Sequence, residues 1–149
     1  MRLKLSFTTL FLSIIAFSFA QEIDSLKLNA GEIPAGYSQL KKAIFVTPHA
    51  SSFYDQTDLY ESFLGKVVKK DFQAFSKKGD EGSVLYFQFA GDFKGEDFLR
   101  GLLWGNENKA TKNEPDEYFI KGRILVIWSF NLKSEIKKIS MEKVKRLLN

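Results

Sequence analysis

The chain has 149 residues, no cysteine, one histidine and a formal net charge of +4. Without cysteine it cannot carry out thiol catalysis or disulfide exchange, and it cannot form a thiolate metal site. A single histidine cannot complete a two- or three-histidine metal site, and no glycine-rich phosphate loop is present, so no metal ion and no other cofactor is expected.

The first twenty residues have the three parts of an export signal. Arg2 and Lys4 precede an uncharged apolar run over residues 5–19, and Ser18 and Ala20 are small enough for a signal peptidase to cleave after Ala20. The alternative is an uncleaved membrane anchor, but an apolar run of about 15 residues is shorter than the roughly 20 that a spanning helix needs. The protein is therefore expected to be exported, either periplasmic or secreted.

Cleavage leaves residues 21–149 as a single globular domain, in which no further stretch is long enough to span a membrane. The net charge then falls to +2, which is the sum of +4 in residues 133–149 and −2 in residues 21–132. A nearly neutral body in an exported protein argues against nucleic acid as a partner. The basic C-terminal segment mixes lysine with glutamate on one face, which argues against binding to a membrane surface.

The first half of the domain alternates apolar runs with turn signals. Residues 21–33 are expected to be an extended lead-in that ends in a turn. The β-branched run 43–47 predicts a strand that stops at Pro48, and residues 48–56 have the composition of a loop. Asp58 with Glu61 is a helix-start pattern, and the apolar spacing that follows predicts an amphipathic helix to about Lys70.

Residues 71–78 allow two interpretations. If the helix continued, Asp71 would place an unpaired carboxylate in the middle of its apolar arc, which is costly. One alternative is a strand over residues 72–76 followed by a hairpin loop over 77–82. The other is a second helix that Asp71 caps and Gly79 ends. The strand is the favoured interpretation.

The second half has clearer signals. Apolar residues on both faces of residues 83–90 predict a central strand. A short helix is expected from Asp92 or Lys94 to Gly105, followed by a polar loop over 106–117. Strands over 118–120 and 123–130 then form a hairpin, and Ser134 caps a final helix. The prediction is an α+β fold, a single two-layer sandwich with a mixed or mainly antiparallel sheet and about three helices.

Three side chains are the candidate binding residues. His49 lies next to three hydroxyl residues, but no partner at a recognisable spacing makes it a catalytic base, so no catalytic residue is assigned. Trp104 ends a helix beside the polar loop, where it either lines a groove or covers the core. Tyr118 follows the same loop.

Four groups of acidic residues recur along the chain, and two carboxylates about 5 to 9 Å apart can hydrolyse a glycoside. These groups are Asp80–Glu81, Asp92, Glu96–Asp97 and Asp116–Glu117. The leading hypothesis is nevertheless a non-catalytic exported module that binds a protein, a peptide or a component of the cell envelope. The alternatives are an extracytoplasmic hydrolase of a polymer, acting through His49 or a carboxylate pair, and a purely structural accessory protein.

Overall fold

The computed structural model describes residues 23–149, so the predicted export signal and the cleavage after Ala20 lie outside the described residues. Five antiparallel strands form one sheet in the order β1-β2-β3-β5-β4. The strands are β1 (Ser38–Leu40), β2 (Val67–Lys77), β3 (Asp80–Phe89), β4 (Glu117–Lys121) and β5 (Ile124–Ser129). The helices are α1 (Pro48–Asp55), α2 (Glu61–Leu64), α3 (Glu96–Trp104) and α4 (Glu135–Leu148), and Thr57–Tyr60 forms a 3-10 turn. The predicted α+β class with a mainly antiparallel sheet is confirmed.

Both faces of the sheet are covered. Along β3, Val84 and Tyr86 pack with α4, whereas Leu85 and Phe87 pack with α1, α2 and α3. The two-layer arrangement and the number of about three helices are therefore not confirmed. The physical reason is the apolar character of both faces of β3 and β5, since each face must be covered by another element.

The favoured strand at residues 72–76 is confirmed, but the hairpin loop predicted over 77–82 is wrong, because β2 continues to Lys77 and β3 begins at Asp80, which leaves a turn of two residues. The confirmed strand belongs to β2, which pairs with β3 from Val67↔Phe89 to Lys77↔Asp80. Gly79 closes the hairpin with a φ of +82°, a conformation that glycine adopts without steric cost. Asp71 lies on β2 and forms an ion pair with Lys27, so its carboxylate does not enter the apolar core unpaired.

The helix predicted up to Lys70 is wrong in its second half. It ends at Leu64, Gly65 follows with a φ of +97°, and the chain continues as β2 from Val67. The helical spacing of apolar residues is real, but Phe63 is 59% exposed, so the spacing does not mark a buried face.

The strand predicted at residues 43–47 and the loop at 48–56 are also wrong. Thr47 caps α1, because its hydroxyl accepts from the backbone N–H of Ala50 at 3.2 Å, and Pro48 occupies the first turn, where its missing N–H costs nothing. The preceding residues bond to side chains instead of a neighbouring strand. The N–H of Val46, for example, donates to Ser129 Oγ at 2.9 Å.

The lead-in at residues 21–33 is not simply extended. Residues 23–26 are helical, and Ile23 and Leu26 are fully buried in the cluster under α4. Strand β1 was not predicted, because its three residues, two of them exposed, are too few to carry a periodic signal.

The remaining elements are confirmed with shifts of a few residues. Helix α3 begins at Glu96 and is followed by Gly105, and Ser134 caps α4 by accepting from the N–H of Lys137. The β4–β5 hairpin turns at residues 122–123, where Gly122 has a φ of +57°. Within residues 23–149, every helix is too short or too polar to cross a membrane.

Candidate functional site

The polar loop over residues 106–116 connects α3 to β4. Trp104, at the end of α3, forms a hydrogen bond with the last residue of this loop. The indole Nε1 of Trp104 donates to the backbone carbonyl oxygen of Asp116 at 2.7 Å. The indole ring also lies 5.2 Å from the ring of Tyr118, measured between centroids. Trp104 therefore packs against the core and borders the loop.

The carboxylate of Asp116 is completely buried beneath this loop. One of its oxygens, Oδ2, accepts from the hydroxyl of Thr47, and Oδ1 has no hydrogen-bond partner among the described residues. Burial raises the pKa of Asp116 above its ordinary value, although hydrogen bonds from Thr47 and Ser129 oppose that increase. Asp116 therefore joins the loop to the start of α1 and to the end of β5.

His49 contacts the same loop at its solvent-exposed side. Its Nε2 lies 3.8 Å from Oε1 of Glu114, and the two side chains are 43% and 34% exposed. Glu114 sits in a tight turn in which its carbonyl oxygen accepts from the N–H of Thr111 at 2.9 Å. His49 lies in the first turn of α1 and not in a loop, because Thr47 begins that helix.

Tyr118 reaches from β4 to α3. Its hydroxyl donates to Oε1 of Glu96 at 3.0 Å. Arg100 lies 3.8 Å from Glu96 and 3.7 Å from Asp97, so this predicted acidic pair forms ion pairs within the first turns of the helix. The structure thus brings all three candidate binding residues to the border of one loop, with Trp104 and Tyr118 in mutual contact.

The other acidic groups are separate from this loop site. Glu117, although adjacent to Asp116, pairs at 2.6 Å with the almost fully buried Lys137. Asp80 accepts hydrogen bonds at the start of α4 from the hydroxyls of Tyr37 and Ser134. Across residues 23–149, no cluster of three or more acidic or histidine side chains is arranged to hold a metal ion.

A second feature is an apolar surface on the 3-10 turn, α2 and α3, which we call the aromatic patch and define as the exposed Leu59 and Phe63 and the half-buried Phe98. The rings of Phe63 and Phe98 stack with centroids 4.4 Å apart and planes 5° from parallel. Leu59 is 68% exposed. The sequence carries no signal for this patch, because Leu59 and Phe63 lie at helical spacing within the predicted amphipathic helix, and such spacing is typical of a buried face.

A third feature is a pair of cavities on the flank of α4 that faces β4. The first, of about 520 Å³, lies at the Glu117 end of β4. The second, of about 470 Å³, lies at the Lys121 end. A further cavity, of about 630 Å³, lies beside Asp80. These three cavities are not lined by His49, Trp104 or Tyr118.

Comparisons with protein families, with curated proteins and with solved structures find no match to this chain.

Proposed function

We propose that the protein is an exported, non-catalytic module that binds a protein, a peptide or a component of the cell envelope. The aromatic patch is the observation that carries this proposal. Large apolar side chains exposed next to one another mark interaction surfaces more often than isolated ones do. Phe63 at 59% exposure, stacked on Phe98, offers a rigid apolar surface to a partner without an ordering cost.

The loop site supports the same proposal in a different way. The polar atom of Trp104 and one oxygen of Asp116 are occupied by internal hydrogen bonds that hold the 106–116 loop in place. An ordered loop is a better binding surface than a mobile one, because less entropy is lost on association. His49, Trp104 and Tyr118 are accordingly proposed as residues that border and hold a second contact surface.

The test is capture of a partner by the purified, immobilised protein from an extract of the cell envelope. Phe63→Ser should lose the captured partner, because it removes the apolar surface at an exposed position. Phe63→Tyr is the matched control, since it keeps the stacked ring, and it should retain the partner. Capture that is equal for wild type and Phe63→Ser would refute a role for the patch. Trp104→Ala and a deletion within the 106–116 loop probe the second surface in the same assay.

A second candidate function is a hydrolase that acts on an extracellular polymer through His49 and the neighbouring carboxylates. The proximity of His49 to Glu114, next to the buried Asp116, favours it.

Hydrolysis of ester, glycan and peptide substrates by the wild-type protein tests this candidate. His49→Ala should abolish any hydrolysis if the imidazole is the base. The absence of activity in the wild type across these three substrate classes would eliminate the enzyme hypothesis.

A further inference from the structure

Strand β4 is at one edge of the sheet and pairs only with β5 among the described residues. The two-residue turn at 122–123 makes Lys121 and Ile124 the closing hydrogen-bonded pair of the hairpin. Hydrogen-bonded and non-hydrogen-bonded positions alternate along an antiparallel pair. The backbone N–H and C=O groups of Tyr118 and Ile120 therefore point away from β5, toward the free edge.

Helix α4 is covered on one flank by other residues of the chain, which we call the closed flank, and within residues 23–149 it is not covered in this way on its other flank, which we call the open flank. On the closed flank, Lys143 donates to the carbonyl oxygen of Lys27 and to Oε1 of Glu32, each at 2.6 Å. The open flank faces β4 and carries the two cavities at the ends of that strand. Leu132 lines the first cavity at 42% exposure and Leu147 lines the second at 49%.

The side chains lining these two cavities are more basic than acidic. The cationic residues are Lys121, Arg123, Lys133, Lys137, Lys138 and Lys145. The acidic residues are Asp92, Glu117, Glu135 and Glu142. Glu117 and the buried Lys137 neutralise each other, and Glu135 pairs with Lys77 outside these cavities, which leaves an excess of five cations over two acids at the cavities. A partner with negative charge is therefore complementary to this flank.

We propose that the edge of β4 binds an extended peptide with alternating apolar and acidic residues as an added strand. Main-chain hydrogen bonds to Tyr118 and Ile120 supply the affinity, as in other cases of strand addition to a sheet edge. Successive side chains of a strand point to opposite faces, so the acidic side chains of the peptide lie toward α4, where the lysines attract them, and the apolar side chains lie on the opposite face of the sheet. This site deepens the proposed function, on which it rests, by naming a peptide as the partner of the β4 edge. It includes Tyr118 of the second contact surface but shares no residue with the aromatic patch, so the two can be tested separately.

The probe is a synthetic, capped peptide of alternating valine and glutamate, about nine residues long, which is enough to span the five residues of β4. Its binding to the purified protein is measured by titration, and the amide exchange of Tyr118 and Ile120 is followed by NMR. Both amides should become protected when the peptide binds. A peptide in which lysine replaces glutamate should bind about tenfold or more weakly, because its charge repels the flank.

Ile120→Pro is the most specific variant, because proline removes the outward backbone N–H and leaves the hydrogen bonds between β4 and β5 intact. It should weaken binding by about tenfold or more. Ile120→Ala, the matched control, loses the side chain but keeps the N–H, and should bind almost as well as wild type. A peptide with every second backbone nitrogen methylated gives the same test on the wild-type protein, and it should not bind.

Three results would overturn the proposal: no binding of the acidic peptide, unchanged binding by a folded Ile120→Pro variant, or equal binding of the methylated peptide. Equal binding of the lysine peptide would overturn the stated charge preference. Phe63→Ser should bind the peptide as well as wild type does, which separates this result from a failure of the aromatic patch.

Discussion

Asp116 connects three parts of the domain that are distant in sequence. Its side chain accepts from Thr47 at the start of α1, and its backbone accepts from Trp104 at the end of α3. The nearby hydroxyl of Ser129, on β5, also acts to lower the pKa of this carboxyl. A loop with no large apolar side chain is thus held in place by hydrogen bonds, each of which contributes about 1 kcal/mol.

The raised pKa of Asp116 makes the stability depend on pH in a defined direction. Between the ordinary value of 3.8 and its raised pKa, the folded protein binds more protons at this group than the unfolded chain does. Ionisation of Asp116 therefore lowers the free energy of unfolding as the pH rises through that range. Asp116→Asn should be more stable than wild type at pH 7, with a difference that shrinks as the pH falls toward 4.

Urea unfolding at several pH values measures this difference. Glu107→Gln, at an exposed position in the same loop, should follow the wild-type curve. A difference between Asp116→Asn and wild type that stayed constant with pH would show that the buried charge is not its cause.

Trp104→Phe removes one hydrogen bond from the loop but keeps an aromatic ring against Tyr118. We expect a loss of about 1 kcal/mol in the free energy of unfolding. Hydrogen exchange should also become faster in residues 106–116, because the anchor at Asp116 is gone. Tyr118→Phe, which removes a more exposed hydroxyl contact, should cost less than about half as much. Unchanged exchange in the loop would contradict the anchoring role.

At the scale of elements, two glycines differ sharply in what surrounds them. A Cβ added to Gly82 on β3 would lie 2.1 Å from the backbone oxygen of Ser129, whereas one added to Gly101 on α3 would meet nothing within 4 Å. Gly82 therefore allows β3 and the end of β5 to approach closely. Gly101 has no such role and weakens the helix that contains it.

Substitution of the two glycines by alanine should change stability in opposite directions. Gly82→Ala should cost about 2 kcal/mol or more, since the neighbour is backbone and cannot rotate away. Gly101→Ala should add about 0.5 to 1 kcal/mol through helix propensity. Thermal and chemical unfolding of both variants give the comparison. A stable Gly82→Ala variant would indicate that β3 and β5 can separate at low cost.

Elements with a strong local signal were predictable from the sequence, and those defined by distant partners were not. Residues 83–90 are apolar on both faces, and Ser134 caps a helix by a local bond, so β3 and α4 could be located. Helix α1 was missed because its proline resembles a terminator until Thr47 is recognised as the cap. Val67 was assigned to a helix because its spacing from Phe63 is helical, yet its pairing with Phe89 makes it a strand residue.

The candidate site was predictable only in part, for the same reason. Trp104 next to a polar loop was a recognisable signal, and the structure puts it against that loop. The burial of Asp116 depends on Thr47 and Ser129, which lie 69 residues before it and 13 residues after it in the sequence. No local pattern distinguishes such a carboxylate from the exposed acids around it.

At the scale of the whole molecule, the sheet separates two hydrophobic clusters, and the first residues of the domain belong to one of them. Ile23 and Leu26 are fully buried with Tyr86, Trp128 and the inner face of α4. These residues close the core on that side. Residues 23–26, which lie in the segment predicted to be an extended lead-in, are therefore an essential part of the fold.

Leu26→Ala should cost about 2 to 5 kcal/mol in the free energy of unfolding, the usual range for a leucine removed from a packed core. Leu59→Ala, at a position that is 68% exposed, should cost less than about 0.5 kcal/mol. Equilibrium unfolding in guanidinium chloride compares the two variants. Similar values for both would place Leu26 outside the cooperative core.

Because both faces of the sheet are covered, the surfaces proposed to bind partners lie apart from the residues that stabilise the fold. Leu59 and Phe63 lie outside the two clusters, and the free edge of β4 lies at the rim of the sheet. Substitutions at such rim positions usually change stability by less than about 0.5 kcal/mol. Related proteins can therefore keep the same two cores and bind different partners. Sequence similarity between them would persist in β3 and β5 after the binding surfaces had changed.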